Sequence, residues 1–255
     1  MEKLTKYIAK KAGDNGYIAY TETEHATWQT LITRQLPVIE KRACQEFLDG
    51  LNILNFSQNQ VPQLKDVNKN LKKATGWEVA AVPALISFDK FFDLLANCKF
   101  PAATFIRVPE ELDYLKEPDI FHELFGHCPM LTNQIYADFT EHFGKLGVGA
   151  SPKVQKFLAR LYWFTIEFGL INTYNDLKIY GGGILSSIGE TIYSLDSKIP
   201  ERKPFDLLTA LRTPYRIDIY QSIYFVINKF EDLFNIMNTN LIDMVHEAIQ
   251  LGEFK

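Results

Sequence analysis

Two histidines, His122 and His127, stand five residues apart, with Glu123 beside the first and Cys128-Pro129 after the second. A third candidate, Glu167, lies inside an apolar, aromatic run, Tyr162-Trp163-Phe164-Thr165-Ile166-Glu167-Phe168-Gly169. Two imidazoles and one carboxylate are the ligand set of non-heme iron(II) oxygenases, which leave metal positions open for O2 and substrate. A glutamate on such a run is costly to bury without a partner, so a cation nearby is one way to keep it there. The other readings are that Glu167 faces solvent on an amphipathic helix or pairs with Arg160 or Arg212.

The spacing constrains how the histidines can meet. His122-Glu123 followed by His127 has one residue more than the H-E-x-x-H helix of zinc proteases. In an α-helix, residues i and i+4 lie about 40° apart but i and i+5 about 140° apart. A straight helix therefore cannot aim both rings at one ion. The expected solution is a short helix from about Pro118 that ends at Gly126 and displays His127 from the exit turn. Pro129 then prevents helical continuation. This disfavours a zinc hydrolase built on His122, Glu123 and His127, with Glu123 as general base. A third reading is a non-catalytic helical binding domain in which the histidines are structural.

The elements that must position these residues follow from periodicity and punctuation. Residues 22 to 50 read as a helix with a possible kink at Pro37, and 61 to 74 as a second one ended by Gly76. Ser87 is a candidate cap for a helix through Phe91, Phe92, Leu94 and Leu95. Residues 103 to 108, apolar and bounded by prolines, read as a strand. Thr132 opens a helix to about Lys145, and Ser151-Pro152 opens another through Glu167 to about Leu170. Short strands are expected at 177 to 180 and 217 to 219, and a long helix at 228 to 250. The triplet Gly181-Gly182-Gly183 is not a phosphate-binding pattern; it reads as a place of close backbone approach near the site. The fold class is mostly α with a few short β-strands.

Composition excludes several classes. A net charge of −4 without charge blocks gives no basis for binding nucleic acid or a membrane surface. The 47% hydrophobic and 13% aromatic content is ample for a core. The chain shows no signal peptide or apolar span. Cys44, Cys98 and Cys128 are odd in number and form no C-x-x-C pair, which suits a reducing cytoplasm. Cys128, beside His127, is read as a small buried filler.

Beyond these local readings, the chain resembles the catalytic domain of the pterin-dependent aromatic amino acid hydroxylases, most closely the bacterial single-domain phenylalanine hydroxylases. The resemblance rests on Val108-Pro109-Glu110-Glu111-Leu112-Asp113-Tyr114, on Pro118-Asp119-Ile120-Phe121-His122-Glu123-Leu124-Phe125-Gly126-His127, and on Tyr162 to Leu170. It extends through Tyr180 to Glu190 and through Arg212-Thr213-Pro214-Tyr215-Arg216-Ile217-Asp218-Ile219, in family order across residues 75 to 235. It implies a single catalytic domain over 21–255 after a variable segment 1–20. It also implies a monooxygenase converting L-phenylalanine to L-tyrosine with O2, Fe(II) and a tetrahydropterin, with tryptophan hydroxylation as the alternative.

By the same resemblance, His122, His127 and Glu167 hold the iron. Phe91 stacks on the pterin, whose edge meets Ala84, Leu85, Ile86 and Ser87, with Glu123 near it in a catalytic role. Ala84 replaces a frequent family glycine. Arg107, oriented by Asp119 and assisted by Ser186, takes the substrate carboxylate. Leu115, Trp163, Phe168, Gly183 and Ile217 surround the substrate. Taken alone, Arg107 reads as a surface charge, and Trp163 and Phe91 as core. Pterin-recycling enzymes are the implied partners. The regulatory domain and tetramerising helix of animal members have no counterpart here, so a monomer or dimer is expected.

Overall fold

The computed structural model describes residues 7–254 apart from 84, 114–116 and 175. The expected sites Ala84 and Leu115 therefore lie outside the described residues. Helices dominate. The order is α1 (Glu22–Ile39), α2 (Gln45–Leu54), α3 (Leu64–Thr75), β1 (Glu78–Val82), α4 (Phe88–Ala96) and β2 (Lys99–Ala103). A π-helical turn, His122–His127, precedes α5 (Gln134–Gly147) and α6 (Pro152–Tyr162), and a second π turn, Trp163–Glu167, continues α6. Then come β3 (Leu170–Asn172), β4 (Leu177–Ile179), α7 (Gly182–Leu185), α8 (Ile188–Asp196), β5 (Glu201–Pro204) and α9 (Leu207–Arg212). The last elements are β6 (Ile223–Ile227), α10 (Glu231–Asn238) and α11 (Leu241–Leu251).

Strands β1 and β2 pair in parallel, and a four-stranded sheet runs β4-β3-β6-β5 with only the β3–β4 pair antiparallel. Caps set several boundaries. Thr21 and Glu24 form a reciprocal capping box at α1, and Ser87, Asn133 and Ser151 accept from backbone N–H groups at the starts of α4, α5 and α6. Gly76 ends α3 in the left-handed region at φ 81°, as its position predicted.

Four boundaries differ most from the sequence reading, and in the first two backbone groups found other partners. The single helix over 22 to 50 is broken after Ile39. There Cys44 N–H donates to the Ile179 carbonyl and Ile179 N–H to the Arg42 carbonyl, so this stretch borders β4. The strand expected at 103 to 108 lies earlier, in β2. Its register with β1 runs out at Val82–Ala103, and Arg107 N–H beyond it donates to a side chain, Asp119 Oδ2 at 3.0 Å. No strand forms at 217 to 219, where Ile217 and Ile219 are exposed; the buried strand is β6, which packs between β3 and β5. The helix expected at 228 to 250 is two, separated where Thr239 is extended.

The core supports the site from behind. Phe121 and Phe125 stack at 4.8 Å on the hidden face of the first π turn, with Trp28 at 5.4 Å from Phe121 and Phe47 at 6.1 Å from Phe125. All four are fully buried. Aromatic burial of this kind fixes the turn rigidly, so the histidines on its other face have little freedom.

Candidate active site

The spacing that forbids a straight α-helix is accommodated by the helix itself. The chain from His122 to His127 winds as a π turn, in which i→i+5 replaces i→i+4, and residues five apart come onto one face. The expectation that Gly126 ends the helix and Pro129 blocks it is thus corrected: Cys128 and Pro129 both retain right-handed helical dihedrals. Gly126 serves a different need. A Cβ there would stand 2.6 Å from the Gly182 carbonyl oxygen, so the residue permits α7 to approach.

The result is a triangle of candidate ligand atoms. His122 Nε2 and His127 Nε2 are 3.1 Å apart. Glu167 Oε1 lies 3.3 Å from His127 Nε2, and its Oε2 lies 3.7 Å from His122 Nε2. Two ligands at right angles, each about 2.1 Å from a metal, stand roughly 3 Å apart. The triangle therefore fits one face of a six-coordinate ion. Glu167 pairs with the histidines; Arg160 instead donates to Glu253 and to the Leu211 carbonyl, and Arg212 to the Gly252 carbonyl.

Hydrogen bonding prepares the nitrogen atoms. Ser186 Oγ lies 2.9 Å from the Gly182 carbonyl and 2.9 Å from His122 Nδ1. A hydroxyl has one proton, which the carbonyl takes, so Ser186 accepts from His122 Nδ1–H and leaves the Nε2 lone pair free to bind a metal. Burial pushes the His122 imidazole down to about 4, against the opposing charge of Glu167, which keeps the ring a neutral ligand. His127 Nδ1 is buried and has no hydrogen-bond partner among the described residues.

Two glutamates reach this space, and the structure separates them. The ligand atoms of His122, Glu123 and His127 lie within 4.8 Å of one another, so Glu123 is also within range of an ion. Burial, reinforced by the charges of Glu167 and Asp119, raises the Glu123 carboxyl well above the usual carboxylate range. Burial alone would raise Glu167 too, but His127 and then His122 hold it below that range. Glu167 is thus favoured as the anion that suits a cation, while Glu123 beside it is shifted toward its protonated form. A carboxyl shifted that way is a weaker general base, which weighs against the hydrolase reading. Cys128 is buried with Sγ 3.5 Å from the Glu123 carbonyl, as a filler would be.

The glycine triplet cradles the ligands. A Cβ on Gly182 would sit 2.5 Å from His127 Nδ1, and one on Gly183 would sit 2.7 Å from Glu167 Oε2. Gly182→Ala is therefore expected to push His127 out of the triangle. Metal titration should show at least about tenfold weaker binding with the far-ultraviolet spectrum unchanged; parent affinity would mean that α7 can shift without cost.

Arg107 is buried, not a surface charge. Its Nε and Nη2 donate to Asp119 Oδ2 and Oδ1 at 2.8 and 3.0 Å, a two-pronged pair, and Asp119 Oδ1 also accepts from His122 N–H at 3.0 Å. Asp119 thus ties the guanidinium to the start of the metal turn. Trp163 packs tilted against Phe168 at 4.5 Å and stacks on Tyr215 at 4.4 Å, forming an aromatic wall. Gly183 links that wall to the ion site, since its Cβ would also stand 3.2 Å from Phe168 Cε2. Phe91 is half-buried, with its ring 5.1 Å from that of Tyr162, which is 6.5 Å from that of His127.

Other expected residues are placed less centrally. Leu85 and Ser87 are exposed, Ile86 is half-buried, and Ser87 Oγ accepts from Lys90 N–H as a helix cap. Ile217 is exposed rather than part of a closed wall. Ser186 is at the site, but its hydroxyl is engaged by His122. The sequence reading gave no role to Tyr215, Tyr162 or Phe100, whose ring lies 5.0 Å from that of His127. Tyr215 and Tyr162 stood inside motifs already singled out; nothing in the sequence marked Phe100.

A two-histidine, one-carboxylate face beside a buried arginine and an aromatic wall, on a mostly helical single domain, defines a class of non-heme metal oxygenase. The family model of the biopterin-dependent aromatic amino acid hydroxylases matches residues 4–248. The chain is 58% identical over 250 residues to the phenylalanine-4-hydroxylase of Pseudomonas aeruginosa, covering 98% of this chain and 95% of that one. It is similar to the apo structure of the cold-active phenylalanine hydroxylase of Colwellia psychrerythraea, with TM-score 0.95, 51% identity, and coverage of 98% and 97%. Chromobacterium violaceum phenylalanine hydroxylase with bound oxidised Fe(III) gives TM-score 0.90 at 47% identity, covering 92% of this chain and 86% of that one. The chain belongs to the biopterin-dependent aromatic amino acid hydroxylases.

Proposed function

We propose that the chain is a phenylalanine 4-monooxygenase, converting L-phenylalanine and O2 to L-tyrosine and water with non-heme iron and a tetrahydropterin. The observation that carries this reading is the triangle of His122, His127 and Glu167, whose Gly183 neighbour also touches the Trp163–Phe168 wall. When bound, iron and reduced pterin would activate O2 together, and the pterin, oxidised by two electrons, would supply those that reduce the second oxygen atom to the level of water.

The protein's part is positioning. Arg107, of whose five N–H groups Asp119 takes two, receives the substrate carboxylate. Trp163 and Phe168 hold the ring beside the triangle, and Gly183 lets it approach Glu167. Glu123, shifted toward its protonated form beside His122, donates a hydrogen bond toward the pterin. Phe91, with Ile86 and the exposed backbone before α4, offers the pterin a flat partner.

Phe91→Ala is expected to raise the pterin KM by up to about tenfold, the range for lost aromatic stacking, with phenylalanine KM nearly unchanged. A large fall in Tm with an unchanged pterin KM would make Phe91 ordinary core.

Phenylalanine fits better than tyrosine because a phenolic hydroxyl left unpaired against Trp163 and Phe168 costs about 1–3 kcal/mol. Competition between phenylalanine and tryptophan in one assay tests the choice. Tyrosine is the expected main product; 5-hydroxytryptophan in equal or greater yield at matched concentrations would reassign the substrate.

The same reading takes 21–255 as the catalytic unit, acting in the cytoplasm as a monomer or dimer, with partner enzymes that reduce the spent pterin. Among the described residues, no helix is long and apolar enough to cross a membrane.

A further inference from the structure

We infer that Gln221 is the positioning residue that sets the orientation of Trp163, and through it the fit of the pocket to the substrate ring. The inference rests on the proposed role of Trp163 as a wall of that pocket. Gln221 lies on the segment between α9 and β6 and is 5% exposed. Its Oε1 accepts from the Trp163 indole Nε1–H at 3.0 Å. Its Nε2 donates to the carbonyls of Arg216 at 2.8 Å and Ile219 at 3.2 Å, and its backbone N–H donates to Glu190 Oε1 at 3.1 Å.

The amide can point only one way. An indole N–H needs an acceptor and two carbonyls need a donor, so reversing Oε1 and Nε2 would break all three bonds. No other uncharged side chain of this length supplies both functions. Glu190 is held in turn by the Tyr224 hydroxyl, so the chain of contacts runs from β6 to the wall. Stacking on Tyr215 and contact with Phe168 limit Trp163 along the ring normal, and the N–H bond to Gln221 is the directional contact that resists rotation within the ring plane. That rotation would change the space left beside Phe168 without altering the metal triangle. The expected signature is therefore a substrate-affinity effect separated from metal and pterin binding.

The test is a double-mutant cycle with Gln221→Leu and Trp163→Phe, together with indole 15N–1H spectra. The chain has three tryptophans, so the spectrum holds three indole signals, and Trp163→Phe identifies its own by loss. Gln221→Leu should move the Trp163 signal alone and raise phenylalanine KM about fivefold, as expected for one lost hydrogen bond. The pterin KM and metal content should remain at parent values. In the Trp163→Phe background, which has no N–H to hold, the same change at Gln221 should alter phenylalanine KM less than about twofold.

Equal KM effects in both backgrounds would show that Gln221 acts by holding the loop at Arg216 and Ile219, and would overturn the inference. An unmoved Trp163 signal would do the same. Should the leucine variant not fold, the parent protein still decides. Its Trp163 N–H should exchange with D2O slowly, as should the Trp28 N–H, which is bonded to the Ser57 carbonyl; rapid exchange of the Trp163 signal contradicts the bond. A parent enzyme that made no tyrosine would remove the functional reading while leaving the indole measurements standing.

Discussion

Glu167→Gln is expected to abolish tyrosine formation and to retain the fold. Glutamine keeps the volume and one carbonyl oxygen but removes the only anion of the triangle, and with it the charge that offsets a divalent ion. The expected loss of metal affinity exceeds the roughly 10–100-fold typical for residues that merely support ligands. His127→Ala should behave alike, because the ring contributes an Nε2 within 3.1 and 3.3 Å of the other two ligand atoms. Glu167→Gln keeps its volume, so its Tm should shift by only a few degrees; His127→Ala empties a buried site beside Phe100 and should lower Tm further while retaining the fold. Metal content after gel filtration and product analysis check this. A variant with full iron and full activity would remove that residue from the set.

Asp119→Ala is the most damaging single change expected for the fold. This carboxylate is fully buried and accepts four N–H groups: the Arg107 backbone, Arg107 Nε and Nη2, and the His122 backbone. Removing it leaves the Arg107 guanidinium buried and unpaired, which costs about 3–5 kcal/mol. For a chain of this size that corresponds to a fall in Tm of about 10 °C. Phenylalanine KM should rise steeply because Arg107 loses its orientation.

The pH dependence has a defined sign. Burial opposes ionisation of Asp119, but Arg107 outweighs it and holds the carboxyl below the usual aspartate range. Its stabilisation is thus fully present above the unfolded-state value and lost as pH falls through the lower folded value. The Tm difference between parent and Asp119→Ala should accordingly be constant near neutrality and shrink in strong acid. A variant with parent Tm and parent phenylalanine KM would contradict both roles of the pair.

The sequence revealed which residues meet more readily than how they meet. His122 and His127 stood out by residue type and spacing, and the glycine triplet was legible from its position. Glu167 stood out by its apolar surroundings but joined the histidines as a ligand only through the family resemblance. The geometry that joins the histidines was not, because a π turn has no composition of its own; it arises when tertiary packing of Phe121, Leu124 and Phe125 outweighs regular α-helical bonding. The sequence did show that an i, i+5 pair conflicts with a straight α-helix, which is where the π turn appears.

Caps located α3 and α4 closely because Gly76 and Ser87 act locally. The boundaries at 39 to 45, 103 to 108 and 217 to 227 were missed because backbone partners distant in sequence decide them. Arg107 shows the same limit. A lone arginine near a strand end reads as a surface charge, and only contact with Asp119, twelve residues away, buries it.

The central claim is that this chain joins one iron, a reduced pterin and phenylalanine at the triangle of His122, His127 and Glu167. Anaerobic titration of metal-free protein with Fe(II), followed by addition of tetrahydropterin, L-phenylalanine and O2, tests it most directly. The account predicts that activity rises with iron and saturates at one equivalent per chain, that tyrosine is the product, and that zinc binds without supporting turnover because it has no redox chemistry. Tyrosine formation at full rate without iron, or one tightly bound iron with no hydroxylated product from any aromatic amino acid, would contradict it.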